Sequence, residues 1–173
     1  MVLCERLQSV DLIRFTNSGS EATLNAFRAA RVYTGRHKIA KFEGGYHGSH
    51  EFASISVHSQ PKNQDGYQTK GTPEFPGMPP GVLGDVLVLP YNDIETTERI
   101  LQVHGRELAC VVMEVIASKF GYVSGKPDFL SSVREITEKL GILLILDEVQ
   151  SFRVATGGAQ EKFQILPEHY GSW

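Results

Sequence analysis

Cysteine is scarce in this sequence, with only Cys4 and Cys110 among 173 residues. Two cysteines so far apart provide neither a disulfide framework nor the ligand spacing of a zinc site. Cys110 lies within an apolar run, so we expect a buried, reduced thiol. The sequence therefore excludes small disulfide-stabilised folds and zinc-binding modules.

An excess of charge of one sign and long apolar segments are also missing. The 17 basic and 20 acidic residues leave a formal net charge of −3, and no basic stripe indicates nucleic-acid binding. No apolar run approaches the roughly 20 residues that cross a bilayer, and the first ten residues lack the apolar stretch of a signal peptide. We expect a cytosolic protein without a nucleic-acid or membrane partner.

The pattern that is present alternates apolar runs with amphipathic segments. Helices are predicted at residues 20–34, 92–104 and 128–140, each followed by a glycine. Fully apolar strands are typical of parallel sheets covered on both faces by helices. The order predicts two βαβ units and one α/β domain with three layers, α/β/α, around a mostly parallel sheet. The predicted strands are residues 12–16, 38–42, 85–89, 109–115 and 142–146.

The first helix carries two local signals. Ser18 and Glu21 form the Ser-x-x-Glu pattern of a capping box. The helical spacing itself is indicated by apolar residues that fall on one face, namely Ala22, Ala26, Ala29 and Tyr33.

Residues 61–81 hold five of the eight prolines and four glycines. This composition argues against regular structure. A loop of this length in a compact domain is usually functional or disordered. We favour a loop over the mouth of an active site.

Ligands of an open α/β sheet bind beyond the carboxyl ends of its strands, and three polar segments fall there. The first contains Ser18, Gly19 and Ser20, at the start of a helix. Free N–H groups at a helix start attract a phosphate together with the helix dipole, and the two hydroxyls can add hydrogen bonds. The alternative is an ordinary capped helix that binds nothing.

The second segment, Tyr46, His47 and Gly48, follows the strand at residues 38–42. An aromatic ring on a glycine-rich turn can stack on a flat heteroaromatic ligand. The alternative is a packed tyrosine beside a surface histidine. A metal site at the histidines is weaker still, because no carboxylate or cysteine completes a known ligand set with His47, His50 and His58.

The third segment begins with Asp147, directly after the strand at residues 142–146. A carboxylate there costs desolvation unless it meets a cation or hydrogen-bond donors. A protonated pyridine nitrogen is one such cation, and the carboxylate would keep that ring protonated. Alternatively, Asp147 caps the next turn or binds a magnesium ion beside a nucleotide. The nucleotide is disfavoured, because neither common glycine motif for nucleotides is present.

In this order, the segments resemble class III pyridoxal-phosphate (PLP)-dependent aminotransferases, and most of all glutamate-1-semialdehyde 2,1-aminomutase and its relatives. The similarity runs from about Arg14 to Pro167. It implies the large domain of PLP-dependent transferase fold type I, PLP as cofactor, amino-group transfer with a small amino acid or amine, and a homodimer. The motifs are FTNSGSEATLNAFRAARVYTGRHKIAKFEGGYHG, GMPPGVLGDVLVLPYND, LGILLILDEVQ and FRVATGGAQEKF.

The resemblance also implies roles for the first two segments. Gly19 and Ser20, with Ser18 beside them, would hold the phosphate of PLP. Tyr46 would stack on the pyridine ring, with His47 beside it.

Further roles are implied near the third segment. Asp147 would pair with the ring nitrogen, Val149 would pack on the other face of the ring, and Gln150 would approach the ring hydroxyl. Glu114 matches the glutamate of a Glu-Pro segment near the site. Two features depart from the family: Lys119 stands where the family has an asparagine, and the segment after Asp147 is shortened. Gln150 is also more typical of the transaminases than of the aminomutase.

The lysine that the family links covalently to PLP has no counterpart in the sequence. In the family it follows a Pro-Asp pair after the aspartate, but here Pro167 is followed by EHYGSW. The resemblance therefore implies that residues 1–173 form a partial large domain, without the N-terminal segment, the lysine region and the small C-terminal domain. We expect the isolated chain to be inactive. The alternatives are a non-catalytic fragment that binds PLP or a partner, and a generic α/β phosphate-binding domain.

Overall fold

A computed structural model of the chain describes residues 2–58 and 70–166. Part of the predicted loop at residues 61–81 and the segment that begins at Pro167 lie outside the described residues. The helices are α1 (Val2–Arg6), α2 (Gly19–Thr34), α3 (Pro80–Asp85), α4 (Ile94–His104), α5 (Pro127–Leu140) and α6 (Gly158–Lys162). The strands are β1 (Lys38–Phe42), β2 (Val86–Leu89), β3 (Leu108–Met113), β4 (Ile116–Ala117), β5 (Val123–Ser124) and β6 (Leu143–Leu146).

Four strands form one parallel sheet in the order β2-β1-β3-β6. Strand β1 pairs with both β2 and β3, since Ile39 is opposite Val86 on one side and Cys110 on the other. Strand β3 in turn pairs with β6. The predicted three-layer α/β fold with a mostly parallel sheet is confirmed. Strands β4 and β5 form a separate antiparallel hairpin that was not predicted.

Helices cover both faces of the sheet. On one face, α2 packs through Phe27 and Ala30 against β1, β3 and β6. On the other face, α4 and α5 pack on a larger cluster that includes Phe42, Leu101 and Phe129. Every residue of β2 and β3 is buried, which explains why their sequences are continuous apolar runs. The expected buried thiol of Cys110 is confirmed, and burial raises its pKa to about 12.

The start of α2 is set by the residues that the sequence indicated. The hydroxyl of Ser18 accepts a hydrogen bond from the N–H of Glu21 at 3.2 Å. The Glu21 carboxylate accepts from the N–H of Asn17, at 2.7 Å, rather than from that of Ser18. The hydrogen bond that Glu21 returns in this capping box therefore goes to the N–H of residue 17 instead of residue 18. Gly35 ends the helix with a φ of 67°, a conformation that glycine adopts at little cost.

The face of α2 that the sequence indicated is not the buried one. The side chains of Thr23, Phe27 and Ala30 are buried, whereas Tyr33 is 56% exposed. The large ring of Phe27 defines the buried stripe, because it removes far more apolar area from water than the small alanines do.

The predicted strand at residues 12–16 is wrong. This segment has no strand structure, and its large apolar side chains face solvent, with Leu12 69% and Phe15 75% exposed. A run of five residues with some apolar character does not by itself provide a neighbouring strand to pair with. The other predicted strands and helices are present, with bounds that differ by one or a few residues. None of the described helices is long and apolar enough to span a membrane.

Arg36 connects the ends of two helices at the amino edge of the sheet. Its Nη1 atom donates to the carbonyl oxygens of Gly141 at 2.8 Å, Gly105 at 3.1 Å and Leu140 at 3.2 Å. The last carbonyls of a helix have no intrahelical partner. A guanidinium therefore both satisfies these acceptors and complements the negative ends of α4 and α5.

We predict that Arg36→Met lowers the free energy of unfolding by about 2 kcal/mol, because hydrogen bonds to a charged donor are lost and several carbonyls remain unpaired. Chemical denaturation followed by circular dichroism measures this change. Arg28→Met, on the exposed side of α2, is the matched control and should stay within about 0.5 kcal/mol of the wild type. Equal stability of the two variants would contradict the assigned role of Arg36.

Candidate active site

The carboxyl ends of β1, β3 and β6 bring together the segments that the sequence singled out. Gly45, Tyr46 and His47 follow β1, Glu114 follows β3, and Asp147 follows β6. Because these strands are neighbours in the sheet, the three loops meet at one edge.

His47 and Asp147 form a buried pair at this edge. Nδ1 of His47 lies 2.8 Å from Oδ2 of Asp147, and the two side chains are 0% and 7% exposed. Because a carboxylate can only accept, the histidine donates from Nδ1. The possible surface position of His47 is therefore wrong. The carboxylate also accepts from the N–H of Val149 at 3.2 Å, so Asp147 does cap the following turn as well.

The loop after β1 is tied to the first turn of α2. The hydroxyl of Thr23 donates to the carbonyl of His47 at 2.6 Å, and the N–H of Ser49 donates to Oγ of Ser20 at 3.1 Å. A β-carbon on Gly48 would lie 2.7 Å from Oγ of Ser20, at a φ of 107°. Only glycine permits this close approach.

The same turn of α2 presents free hydrogen-bond donors. Within the described part of the chain, the N–H groups of Gly19 and Ser20 have no hydrogen-bond partner. A β-carbon on Gly19 would lie 3.7 Å from a methyl group of Val149. The helix start and the segment after Asp147 are therefore adjacent.

Tyr46 and Glu114 are linked through the backbone. The N–H of Tyr46 donates to Oε2 of Glu114 at 3.3 Å, and the hydroxyl of Ser118 donates to Oε1 at 2.7 Å. The ring of Tyr46 is 46% exposed, so it is not packed in the core. Nζ of Lys119 lies 5.5 Å from the centroid of that ring, within the range of a cation–π contact.

Comparison with known proteins shows the family of the chain. The family model described as aminotransferase class-III matches residues 2–168. The chain belongs to the class III aminotransferase family.

Three relatives show how far the likeness extends. Glutamate-1-semialdehyde 2,1-aminomutase 2 of Brevibacillus brevis is 46% identical over 96% of this chain and 38% of its own length. An omega-transaminase from Sphaerobacter thermophilus superposes with a TM-score of 0.92 at 46% identity, over 96% and 38% of the two chains. A transaminase with PLP bound gives a TM-score of 0.86 at 33% identity, over 96% of this chain and 38% of that chain. The chain thus spans about 38% of these relatives, and its identity to an aminomutase equals its identity to a transaminase.

Not every residue implied by the class III resemblance is connected to the others. Gln150 is exposed and, among the described contacts, has no hydrogen bond to the other expected site residues. Val149 is also exposed, at 73%. Both line a cavity of about 510 Å³ together with Glu148, Phe152 and Arg153.

Glu148 has a structural role that the sequence pattern did not indicate. Its carboxylate accepts from the N–H of Ala159 at 2.7 Å and from the backbone and side-chain amides of Gln160, at 3.2 and 3.0 Å. Glu148 therefore caps α6 and fixes the shortened segment after Asp147.

The histidines have separate partners. His47 contacts Asp147, His50 lies 3.2 Å from the hydroxyl of Thr23, and His58 contacts Glu74 at 2.5 Å. Among the described residues, no cluster of three potential metal ligands is present.

Lys41 is a buried charged residue next to this edge that the sequence analysis did not single out. It lies within β1 and is only 1% exposed. Nζ donates to the carbonyl of Gly45 at 2.8 Å and to that of Ile55. Burial lowers its pKa from 10.5 to about 8, although Glu43, Glu74 and Glu114 act in the opposite direction. A charged residue inside an apolar strand was the signal that could have found it.

We predict that Lys41 makes the folded chain more stable as the pH rises from about 8 to 10.5. In this range the unfolded chain binds more protons at Lys41 than the folded chain, so raising the pH favours folding. The free energy of unfolding of the wild type relative to Lys41→Met should rise by about 3 kcal/mol across the range. Denaturant titrations at several pH values measure the difference, and a flat difference would contradict the depressed pKa.

Proposed function

We propose that this edge of the sheet is the PLP-binding part of a class III aminotransferase site. The observation that carries the proposal is the buried carboxylate of Asp147, oriented by His47 at 2.8 Å, beside a helix start with free N–H groups. A desolvated carboxylate of this kind requires a cation or donors. His47 and the N–H of Val149 are two donors, and a protonated pyridine nitrogen fits as the third partner.

The start of α2 fits a phosphate. The unpaired N–H groups of Gly19 and Ser20 lie at the positive end of a 16-residue helix, where anions are stabilised. The hydroxyl of Ser20 is in place to donate, while that of Ser18 accepts the capping hydrogen bond from Glu21. Ser18 therefore supports the helix start, and Gly19 and Ser20 would bind the phosphate.

Tyr46 and Val149 fit the two faces of a planar ring. Both side chains are exposed at the carboxyl edge, next to residues that hold the carboxylate and the helix start. The ring of Tyr46 can stack on a heteroaromatic ligand, and the methyl groups of Val149 can cover an apolar face. Glu114 would act indirectly, through the N–H of Tyr46, and we propose that Gln150 approaches the ring hydroxyl.

When bound, PLP supplies an aldehyde that takes up an amino group and a protonated ring that withdraws electrons. The residues of this chain would bind it, exclude water from one face and hold the proton at the ring nitrogen through Asp147. The similar transaminase with PLP bound, at 33% identity, supports this proposal.

The wider activity is also proposed from the family. We propose transfer of an amino group with a small amino acid or amine as substrate, in the manner of a transaminase or an aminomutase. We further propose a homodimeric, cytosolic protein, of which residues 1–173 contribute a partial large domain.

We predict that Asp147→Asn weakens PLP binding by about 3–5 kcal/mol, because it removes the charge partner of the ring nitrogen. Binding of PLP to the 173-residue chain is measured by cofactor absorbance and fluorescence. Binding of inorganic phosphate, followed through the amide resonances of Gly19 and Ser20, should be unchanged.

Asp11→Asn is the matched control, since Asp11 is exposed and distant in sequence from the three site segments. It should bind PLP like the wild type. If Asp147→Asn kept wild-type affinity for PLP, the carboxylate would be only a cap for the turn, and the proposed ring contact would be wrong.

We also predict that the 173-residue chain is not labelled stoichiometrically when PLP is added and then reduced with borohydride. Nζ of Lys41 is buried and bound to two carbonyl oxygens, so it is not available as a nucleophile. Lys119 is exposed, and its Nζ lies 5.5 Å from the centroid of the Tyr46 ring. Peptide mapping by mass spectrometry should find scattered labelling, and one-to-one labelling of Lys119 would overturn this prediction.

A further inference from the structure

Lys41 interrupts the apolar part of strand β1, and its ammonium group donates to two backbone carbonyls beyond the end of the strand. Side chains alternate along a strand, so Lys41 shares the face of Ile39, which packs towards α2. Nζ reaches past the end of β1 and donates to the carbonyl of Gly45, at 2.8 Å, and to that of Ile55. The ammonium therefore connects two separate loops at the carboxyl edge.

The peptide bond between Gly45 and Tyr46 is bound at both of its polar atoms. Its carbonyl oxygen accepts from Lys41 at 2.8 Å. Its N–H donates to Oε2 of Glu114 at 3.3 Å. A buried cation and a carboxylate that is 6% exposed thus hold opposite ends of one peptide unit, and Ser118 in turn orients that carboxylate.

This peptide unit carries the Tyr46 side chain at the end of a glycine-rich turn. Two glycines precede Tyr46, and Gly44 has a φ of 72°, so the backbone here is intrinsically permissive. The ring itself is 46% exposed, and core packing therefore does not fix it. The direction of the side chain depends on the plane of the peptide bond that carries it.

We propose that Lys41 and Glu114 are paired positioning residues that fix the peptide plane between Gly45 and Tyr46 and thereby direct the Tyr46 ring towards the cofactor. This inference rests on the proposed function, since it assigns Tyr46 to PLP. An apolar residue at position 41 would avoid the cost of burying an ammonium, but it would leave the carbonyls of Gly45 and Ile55 without this donor.

The charged groups around Lys41 give the proposal a pH dependence. Burial lowers the pKa of its amine to about 8, while Glu43, Glu74 and Glu114 favour the charged form. Loss of the proton weakens the charge-assisted hydrogen bond to Gly45. In the wild-type chain, the chemical environment of this peptide unit should therefore change near pH 8.

Selective isotope labelling isolates the peptide bond in question. With 1-¹³C-glycine and ¹⁵N-tyrosine, an HNCO spectrum shows only Gly-Tyr pairs, and the sequence has three, at residues 45–46, 66–67 and 121–122. In the wild type, the 45–46 signal should move with a midpoint near pH 8. The movement should be absent in Lys41→Met, and its midpoint should fall in Glu114→Gln, because Glu114 raises the pKa of Lys41. The decisive range, from about pH 6.5 to about 9.5, brackets the Lys41 pKa of about 8. A wild-type signal that does not move across this range would overturn the proposal even if Lys41→Met did not fold.

Ligand binding separates the role of Lys41 from general stability. Lys41→Met should weaken PLP binding by about tenfold, the effect of one hydrogen bond to a charged group, and leave the binding of inorganic phosphate unchanged. Lys38→Met is the matched control, because Lys38 lies on the same strand and pairs with Glu107 at the opposite edge. It should not change either affinity.

The outcomes distinguish this inference from the proposed function. If the wild type binds PLP and Lys41→Met binds it equally well, the positioning role is overturned and the cofactor site remains. Equal weakening of PLP and phosphate binding in Lys41→Met would reduce Lys41 to a general structural residue, and so also overturn it. If the wild type binds no PLP, the proposed function fails and this inference fails with it.

Discussion

Burial of the parallel sheet on both faces is the constraint on which the rest of the structure depends. Helix α2 covers one face and α4 with α5 covers the other, so every side chain of β3 and all but Lys38 of β1 are buried. Polar groups are costly there, and apart from Lys41 within β1 they lie at the points where strands begin or end. The carboxyl edge is the end at which the loops after β1, β3 and β6 and the start of α2 converge. A ligand site at this edge follows from the architecture before any residue is considered.

The carboxylates at this edge and the loop after β1 stabilise each other. Glu114 and Asp147 end neighbouring strands and are largely desolvated, so each requires donors. The loop supplies them, as the N–H of Tyr46 binds Glu114 and the ring of His47 binds Asp147. In return, a loop rich in glycine is held in one conformation. The same interactions that neutralise the buried charges therefore preorganise the ring that faces solvent.

The sequence predicted the parts of the fold that local chemistry decides. Apolar runs located the sheet strands, and the glycines after α2 and α5 correctly marked the ends of those helices. Where the outcome depends on distant contacts, prediction failed. The apolar residues at 12–16 found no strand to pair with, and the buried face of α2 was set by Phe27 rather than by the alanines.

The same division applies to the candidate site. Tyr46, His47 and Asp147 follow sheet strands that are visible in the sequence, so their convergence could be predicted from topology. Ser18 and Gly19 are expected at the same edge because they follow residues 12–16, but that segment is not a strand. The burial of His47 could not, because it depends on Asp147, 100 residues further along the chain. The fit of Gly48 against Ser20 is likewise a contact between loops that no local pattern encodes.

Burial of the charged side chains of Lys41, Glu114 and Asp147 lowers the stability of the folded chain. This loss of stability indicates that the three residues are present for function. Replacing buried charges by apolar residues of similar size is often neutral or stabilising, so stability alone does not explain three of them at one edge. Positions where a sequence breaks its own local pattern are expected to be functional. Here each exception acts on the same small region. Lys41 and Glu114 bind the peptide bond between Gly45 and Tyr46, and Asp147 binds the side chain of the following residue, His47. The charges are arranged around the loop that presents Tyr46, which is where a planar cofactor would have to be received.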